Sequence, residues 1–542
     1  MTVGAPIDAR SELNEPTAPA SMRAPSRRAP WWLWVAGGAI LVPVGVPLVA
    51  LFVRVVGASS EAWSILFSLR TVELVVRSAL LVVLVTASAL AIGVGAAWLL
   101  VRTDLRFKVA WGVLVALPLV IPSYVIALSY LAASGPRGLI ADATGIPLPV
   151  VSGLPGAWLA LTLSTYPYAF LIATAALRRF DPALEEAAAG LGASRARVFR
   201  TVTLPQLRPA MGAAALLVGL YTLSDFGAVS LMRFDAFTRV IYAQYSGRLD
   251  RTPAAVLSVV LILIALTLIL AEERSRGRAA YFSRRATRPL VPMHLERTGA
   301  AAGYVFIAIL VIVGVVLPVG VLVAWLLRGL AANQTVSVQW EAIAGSLLGS
   351  ALAAFVAMAA AVPAMILAVR YRSTASRWLE RSVYITFSLP HITVALAVVF
   401  FSVRYLGPLY QSLTLLVIVY AAIFLAQATG ATRAALLQVN PSVEDASRSL
   451  GKGAFTTLRR VTLPLIWKGV AVGGALVFIT TMKELPVTLI LRPTGFETLA
   501  VRVWSAADEL FYARASASAL VLLLVSAVPM YVLVIRNREF VT

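Results

Sequence analysis

The sequence of 542 residues contains no cysteine and only two histidines. The missing cysteine excludes disulfides, thiolate metal sites and iron–sulfur clusters within this chain. Charged residues make up only 13% of the sequence, and neither GxxxxGKS nor GxxxxGKT occurs. The chain therefore lacks the phosphate-cradling loop that these motifs encode.

Apolar residues, in contrast, are abundant: 60% of the chain is hydrophobic and the mean hydropathy is +0.87. A soluble protein of this size has no core large enough to bury so much apolar surface, so lipid must be the solvent. Twelve stretches are long and apolar enough to cross a bilayer as helices. They predict an all-α integral membrane protein with about 12 transmembrane helices, at roughly 31–53, 72–101, 109–132, 152–177, 211–231, 253–271, 302–327, 343–369, 382–403, 409–431, 470–490 and 516–535.

Basic residues predict the orientation of these spans. With the N-terminus in the cytoplasm, inside segments hold 32 Lys and Arg and outside segments hold 13. The positive-inside rule then places both termini in the cytoplasm of a multi-pass protein of the bacterial cytoplasmic (inner) membrane. The net charge of +21 fits this topology and contact with anionic membrane lipid, and we expect no nucleic-acid partner.

A 25-residue pattern occurs twice, 259 residues apart, on polar loops that face the same side. Both copies follow an even number of spans, so the pattern predicts two parallel six-helix repeats. The expected organisation is a disordered cytoplasmic tail (1–30), a first repeat (31–272), a basic cytoplasmic linker (273–300) and a second repeat (301–542). The linker is interpreted as a solvated connection rather than a lipid-headgroup or regulatory patch.

The repeat extends beyond the loops. Ser78 to Arg102 corresponds to Ser346 to Arg370, and Leu117-Pro118 resembles Leu389-Pro390. Each loop is expected to form helix, turn, helix, starting at Asp181-Pro182 or Asn440-Pro441. Leu204-Pro205 and Leu463-Pro464 are expected to end the second helix before the next span, because proline interrupts a helix.

The loop pattern resembles the coupling loop of ABC importer permeases: Glu-Ala-Ala, a Gly four residues on, and a later Leu-Pro. The second copy departs from it at Asp445 and Ser447. The resemblance implies that two copies of a separate ATPase subunit, which binds ATP–Mg, dock on these loops, and that the chain is no enzyme. The alternative is that both are simple amphipathic loop helices. The residues expected to couple to the ATPase are Glu185, Glu186, Ala187, Gly192, Arg200, Leu204, Pro205, Glu444, Asp445, Ala446, Gly451, Arg459, Leu463 and Pro464.

Two carboxylates within spans occupy equivalent positions, Asp225 and Glu484, 259 residues apart. Charges in a bilayer are costly and mark function by default, and carboxylates suit a hard cation. They are candidate metal ligands on a substrate pathway or gate, with Thr222, Thr481 and Met482. The alternative is that they cap helices or pair with cations at the outer ends of their spans, namely Lys483, Arg233 or Arg492. Packing is the favoured role of His391, Tyr124, Tyr166 and Tyr168.

The fused layout resembles the ferric-iron permease family, as do the segments around Asp225 and Lys483-Glu484-Leu485-Pro486. This resemblance implies transient passage of Fe3+, delivered by a periplasmic or lipid-anchored binding protein to the outer loops 233–251 and 492–514. The same machine for thiamine, a polyamine or a phosphonate is the first alternative. A secondary transporter would need inverted repeats, and a membrane enzyme would need a clustered acid–base or metal set; neither pattern is found.

Overall fold

The computed structural model describes residues 29–58, 60–136, 138–147, 149–179, 183–247, 250–276, 292–334, 340–371 and 373–536. Within these ranges the chain is helical, and Thr103 and Met293 form an isolated β-bridge. The predictions for the tail, for Asp181-Pro182 and for most of the linker fall outside the described residues.

The first repeat contains fourteen α-helices in its described part: α1 (Trp31–Gly38), α2 (Val42–Val56), α3 (Ser60–Ser64), α4 (Leu69–Arg102), α5 (Lys108–Ala116), α6 (Ser123–Ala133), α7 (Leu139–Thr144), α8 (Gly153–Leu177), α9 (Ala183–Gly190), α10 (Arg195–Val198), α11 (Leu204–Ser224), α12 (Gly227–Leu231), α13 (Phe237–Gly247) and α14 (Thr252–Arg276).

The second repeat contains thirteen in its described part: α15 (Arg297–Val311), α16 (Leu317–Ala331), α17 (Trp340–Arg370), α18 (Thr374–Ser388), α19 (His391–Tyr405), α20 (Leu413–Ile423), α21 (Leu425–Gln438), α22 (Pro441–Ser449), α23 (Ala454–Thr457), α24 (Leu463–Met482), α25 (Pro486–Leu491), α26 (Leu499–Asp508) and α27 (Tyr512–Arg536).

The predicted all-α membrane fold is confirmed. In the described ranges, seven continuous helices and four bent pairs have the length and composition of membrane spans. The twelfth predicted span coincides with α27, whose apolar part Tyr512–Ala527 is shorter. Helices predominate because lipid offers no partner for backbone N–H and C=O groups, which must bond within the segment.

The third span of each repeat is broken at a proline. The chain bends by 90° before α6 and by 103° before α19, where Pro122 and Pro390 precede the first helical residue. Proline forces the preceding residue into an extended conformation, as seen at Ile121 and Leu389. The predicted match of Leu117-Pro118 with Leu389-Pro390 is therefore wrong, since Pro122 occupies the equivalent position.

Leu204-Pro205 and Leu463-Pro464 do not end a helix, contrary to prediction. Each pair opens a span, α11 or α24, after one π-helical turn at Phe199–Thr203 or Leu458–Thr462. The helix continues because the wider π-turn accommodates a proline ring that would clash with a carbonyl one α-helical turn earlier.

The fifth span of each repeat is shifted toward the repeat loop relative to the prediction, because α11 begins at Leu204 rather than 211 and α24 at Leu463 rather than 470. α11 ends at Ser224 rather than 231, and α24 ends at Met482 rather than 490. A short helix follows each break, α12 or α25, and the predicted outer loops then contain α13 and α26. Buried side chains on α13 and α26, such as Ile241 and Val503, show that these helices are packed into the protein and are not open loops.

Two long helices, α4 and α17, connect the repeat loops to the opposite end of the molecule. Near the start of α4, Ser78 Oγ accepts from the Phe237 amide of α13 (3.3 Å). In α17, Ser346 Oγ accepts from the Leu499 amide of α26 (2.8 Å). Arg102 lies 24 residues beyond Ser78 in the same helix, or about 36 Å along its axis, so α13 and the first repeat loop lie at opposite ends.

The two repeats interlock through their first spans. α1 and α2 pack on α17 and α19 of the second repeat, whereas α15 and α16 pack on α5 and α6 of the first. The described end of the linker is also fixed to the first repeat, because the Met293 amide donates to Arg102 O (2.7 Å) and the Asp104 amide to Met293 O (3.1 Å). The Leu295 amide and His294 hydrogen-bond the Asp104 carboxyl and lower its pKa.

Close packing of α4 on α8 depends on Gly93. A Cβ there would lie 2.6 Å from the Phe170 nitrogen and 2.9 Å from the Ala169 carbonyl carbon. Gly93→Ala should lower the thermal stability of the detergent-solubilised protein, at a cost of about 1–3 kcal/mol, because backbone cannot move aside as a side chain can. Gly112→Ala is the control, since its Cβ would meet nothing within 4 Å. Equal melting temperatures for the two variants would contradict this packing argument.

Candidate functional site

The first repeat loop is held in place by Glu185. Its carboxylate pairs with Arg102 at the end of α4 (Nη2–Oε1, 3.0 Å) and accepts from the Thr203 hydroxyl in the π-turn (2.6 Å). One acidic side chain thus joins the loop helix α9, the long helix α4 and the start of α11.

The second repeat loop has the same arrangement. Glu444 pairs with Arg370 at the end of α17 (Nε–Oε2, 3.0 Å) and accepts from Thr462 (3.2 Å). Arg370 also donates to the carbonyls of Leu436 and Val439. The side chains of Glu444 and Arg370 are 5% and 11% exposed, so this pair is buried, and its loop is tied to α21 as well.

The remaining predicted coupling residues surround these pairs without joining them. Glu186, Asp445, Ala187, Ala446, Arg200 and Arg459 are exposed, Leu204 and Pro205 are half-buried, and Leu463 and Pro464 are exposed. Gly192 and Gly451 adopt left-handed backbone conformations (φ 81° and 77°), which glycine allows without strain. Large apolar side chains are exposed at equivalent positions of both loops: Leu184 and Leu191 in the first, Val443 and Leu450 in the second.

A cavity of about 210 Å³, here called the site cavity, lies between the repeats and has both intramembrane carboxylates on its wall. Asp225 ends α11, and one carboxylate oxygen accepts from the amides of Ala228 (2.9 Å) and Val229 (3.3 Å) in α12. Its other oxygen accepts from the Ser123 hydroxyl. Asp225 therefore caps a helix and lines a cavity at once, which unites the two alternatives left open by the sequence.

Glu484 does the same in the second repeat. It accepts from the Val487 amide of α25 (3.2 Å) and contacts His391 Nδ1 (2.9 Å). Ser123 and His391 are equivalent, since each directly follows the proline at the break of the third span. His391, interpreted from sequence as a packing residue, lies on the cavity wall. The correct match of Pro122 with Pro390 was the signal that could have found this pair.

Lys483 also lines the site cavity. Its ammonium group donates to the carbonyl of Leu119 in the first repeat (2.9 Å), a hydrogen bond that links the two repeats across the cavity. Among the described residues, neither carboxylate forms an ion pair with Lys483, Arg233 or Arg492, and Arg492 lies 3.9 Å from Glu497 instead.

Three predicted pathway residues lie off the site cavity. Thr222 donates back to Val218 O (2.8 Å), Met482 accepts from Ser526 (3.4 Å), and the buried hydroxyl of Thr481 has no partner in the described structure. Helical spacing is the reason, because α11 turns positions 217, 220, 221 and 224 toward the cavity and position 222 away from it. The other polar side chains on the wall are Tyr124, Ser164, Tyr168, Tyr221, Ser224, Ser388, Gln427 and Thr480.

Two of the three tyrosines considered from the sequence, Tyr124 and Tyr168, line the cavity, whereas Tyr166 does not. The buried Tyr124 hydroxyl has no hydrogen-bond partner in the described structure. Within the described ranges no group of three or more His, Asp and Glu is arranged to hold a metal ion. The cavity wall instead carries two carboxylates, Asp225 and Glu484, each with polar neighbours.

Comparison with known proteins gives a consistent result along the chain. The model of the family described as "Binding-protein-dependent transport system inner membrane component" matches residues 89–271 and 360–538. An Fe(3+)-transport system permease protein of Haemophilus influenzae is 33% identical over 516 residues, which cover 94% of this chain and 98% of that protein.

Two further relatives are more distant or shorter. A probable ABC transporter permease protein of Sinorhizobium fredii is 26% identical over 78% of this chain and 79% of its own length. The molybdenum transport system permease protein of Escherichia coli is 34% identical over 34% of this chain and 84% of its own length. The double match of the family model agrees with the internal repeat read from the sequence.

The two loop pairs should differ in their contribution to stability. Arg370→Ala leaves a buried Glu444 carboxylate and two backbone carbonyls without their partner, a loss of about 3–5 kcal/mol. Arg102→Ala should cost less, because the Glu185 side chain is 22% exposed and can be solvated. Thermal unfolding of the purified variants measures both. A larger loss for Arg102→Ala would contradict the ranking.

Proposed function

The chain belongs to the family of binding-protein-dependent transport system inner membrane components, and on that premise we propose that it is the permease of an ATP-driven importer of ferric iron. The observation that carries this proposal is the pair of equivalent carboxylates, Asp225 and Glu484, on one cavity between the repeats. Iron(III) is a hard cation that prefers oxygen ligands. The Haemophilus influenzae relative, which matches nearly end to end, is named for Fe(3+) transport.

The site cavity has the chemistry needed for passage rather than storage. Asp225 is held by two backbone amides and the Ser123 hydroxyl, and Glu484 by one backbone amide and His391. Both carboxylates are therefore solvated by protein groups when the cavity is empty. Further oxygen atoms that could contact a cation lie on the same wall, including the Tyr124 hydroxyl, which has no hydrogen-bond partner in the described structure. A wall with only two carboxylates favours weak binding, which a transported ion needs in order to leave.

We further propose that the two repeat loops dock one ATPase subunit each. Their exposed leucines and valine are apolar anchors on short helices, which suit insertion into a groove of a partner. Glu185 and Glu444 hold the loops to α4 and α17, while Glu186, Asp445, Arg200 and Arg459 are exposed on the surface that would meet the partner. ATP–Mg is bound and hydrolysed on that partner.

The connections of the long helices support a mechanism of alternating access. Movement of a docked loop is passed to α4 or α17 through a buried or half-buried ion pair, and from there to α13 or α26 through Ser78 or Ser346. The loops and both termini face the cytoplasm in this proposal. A periplasmic or lipid-anchored binding protein delivers the cargo at the opposite face.

Removal of both carboxylate charges tests the cargo. Asp225→Asn with Glu484→Gln keeps side-chain size and an oxygen that can accept from the capping amides, so the fold should persist while iron uptake by cells falls to background. Asp142→Asn is the control, because this exposed carboxylate pairs with Arg328 away from the cavity. Iron uptake by the double variant at the level of the control would refute the role of the carboxylates.

ATPase activity of the reconstituted complex distinguishes the cargo. Stimulation by the iron(III)-loaded binding protein, and not by the empty one, is the expected result. Stimulation by a binding protein loaded with thiamine, a polyamine or a phosphonate would retain the importer and replace its cargo. A phosphonate would use Lys483 and His391, the cationic or ionisable groups on the same wall.

Replacing the loop leucines with charged residues tests the docking of the ATPase subunit. Leu191→Asp with Leu450→Asp should abolish co-purification of the ATPase subunit, because an aspartate cannot be buried in an apolar groove without a partner. Ile146→Asp is the control, since Ile146 is also an exposed apolar side chain but lies between α7 and α8, on the opposite side of the protein from the repeat loops. Retention of the ATPase by the double variant would exclude these leucines as anchors.

A further inference from the structure

A layer of three aromatic rings, contributed by both repeats, adjoins the site cavity on the side away from the repeat loops. The ring centroids of Phe226 and Tyr242 are 4.8 Å apart, those of Phe226 and Trp504 5.9 Å, and those of Tyr242 and Trp504 5.8 Å. Phe226 and Tyr242 belong to the first repeat and Trp504 to the second. The three rings are in mutual contact, so they close the space between the repeats at this level.

A second cavity lies on the far side of these rings. This distal cavity has a volume of about 260 Å³ and is also bounded by both repeats. Tyr242 and Trp504 line the distal cavity, whereas Phe226 lines the site cavity. The rings are therefore the wall between two successive cavities on the interface of the repeats.

Each ring is attached to a group that the transport cycle would move. Phe226 directly follows Asp225, and the Asp225 carbonyl accepts from the Thr238 hydroxyl at the start of the helix that carries Tyr242 (2.6 Å). Trp504 is on α26, and the amide of the first residue of this helix, Leu499, donates a hydrogen bond to Ser346 of α17. A shift of α17 against α4 would separate Trp504 from the two rings of the first repeat.

We propose that Phe226, Tyr242 and Trp504 form the outer gate of the transport pathway, closed in this conformation and opened when the repeats separate on the side of α13 and α26. The inference rests on the proposed function for the direction of transport only. The gate excludes ions by apolar contact, since a hydrated ion cannot cross a layer of packed rings without losing its water.

The absence of cysteine in the sequence allows a direct test in cells depleted of ATP, in which the transport cycle is stopped and the gate should stay closed. Ser224→Cys places the sole thiol on the wall of the site cavity. A membrane-impermeant maleimide added from outside should leave this thiol unlabelled. Adding Trp504→Ala, or Tyr242→Ala, should raise labelling to the level reached after denaturation in detergent, because either change opens a hole in the layer.

Two matched variants separate the gate from general loosening. Trp504→Phe keeps an aromatic ring and should keep the thiol protected. Tyr405→Ala removes a ring from the Phe401–Tyr405 pair (centroids 5.0 Å apart) on α19, away from the three gate rings. This variant should also leave the thiol protected. Labelling of Ser224→Cys with all three rings intact, or continued protection in both alanine variants, would overturn the proposal.

The labelling result does not depend on the cargo. If the alanine variants become labelled while the carboxylate double variant still imports iron, the gate stands and the assignment of Asp225 and Glu484 falls. If the carboxylate prediction holds and the thiol stays protected in both alanine variants, the gate lies elsewhere on the same pathway.

Discussion

The architecture depends on the two ion pairs that join the long helices to the repeat loops, Arg102 with Glu185 and Arg370 with Glu444. Without these ion pairs α9 and α22 would be unstable, since isolated helices of eight or nine residues do not persist in water. With them, each loop becomes a rigid extension of a helix that runs to the opposite end of the protein. A threonine of the π-turn binds the same carboxylate, so the fifth span is included in the unit.

The site combines a symmetric frame with asymmetric chemistry. Equivalent positions place Asp225 opposite Glu484 and Ser123 opposite His391, and position 224 is serine where its counterpart, position 483, is lysine. Two identical subunits could not make this cavity, because every side chain would be duplicated. Two different repeats in one chain keep the same helix breaks while the side chains at equivalent positions of the cavity wall differ. The hydrogen bond from Lys483 to Leu119 exists only because of this asymmetry.

The sequence predicted what depends on hydrophobic length and internal repetition. These patterns predict most of the spans, the two repeats, the loop positions and the equivalence of positions 225 and 484 in the two repeats. It did not predict the π-turns before Pro205 and Pro464, because a proline in sequence indicates an end more often than a widened turn. It also missed His391 and Ser123 as neighbours of the carboxylates, since a break of 90° or more in the third span brings them there and no periodic pattern encodes such a bend.

The position of each carboxylate at a helix break explains how a charge can lie within the membrane and still face a cavity. With the cavity empty, the amides of α12 or α25 solvate the carboxylate, which removes much of the cost of burying it. Under the proposed function, an arriving cation would compete for the same oxygens, and its binding would weaken the cap and loosen the short helix. In the first repeat, that helix begins one residue after Phe226, which is in contact with Tyr242 and Trp504. Occupancy of the site and the packing of the rings are therefore linked by the backbone between residues 225 and 227, without any long-range relay.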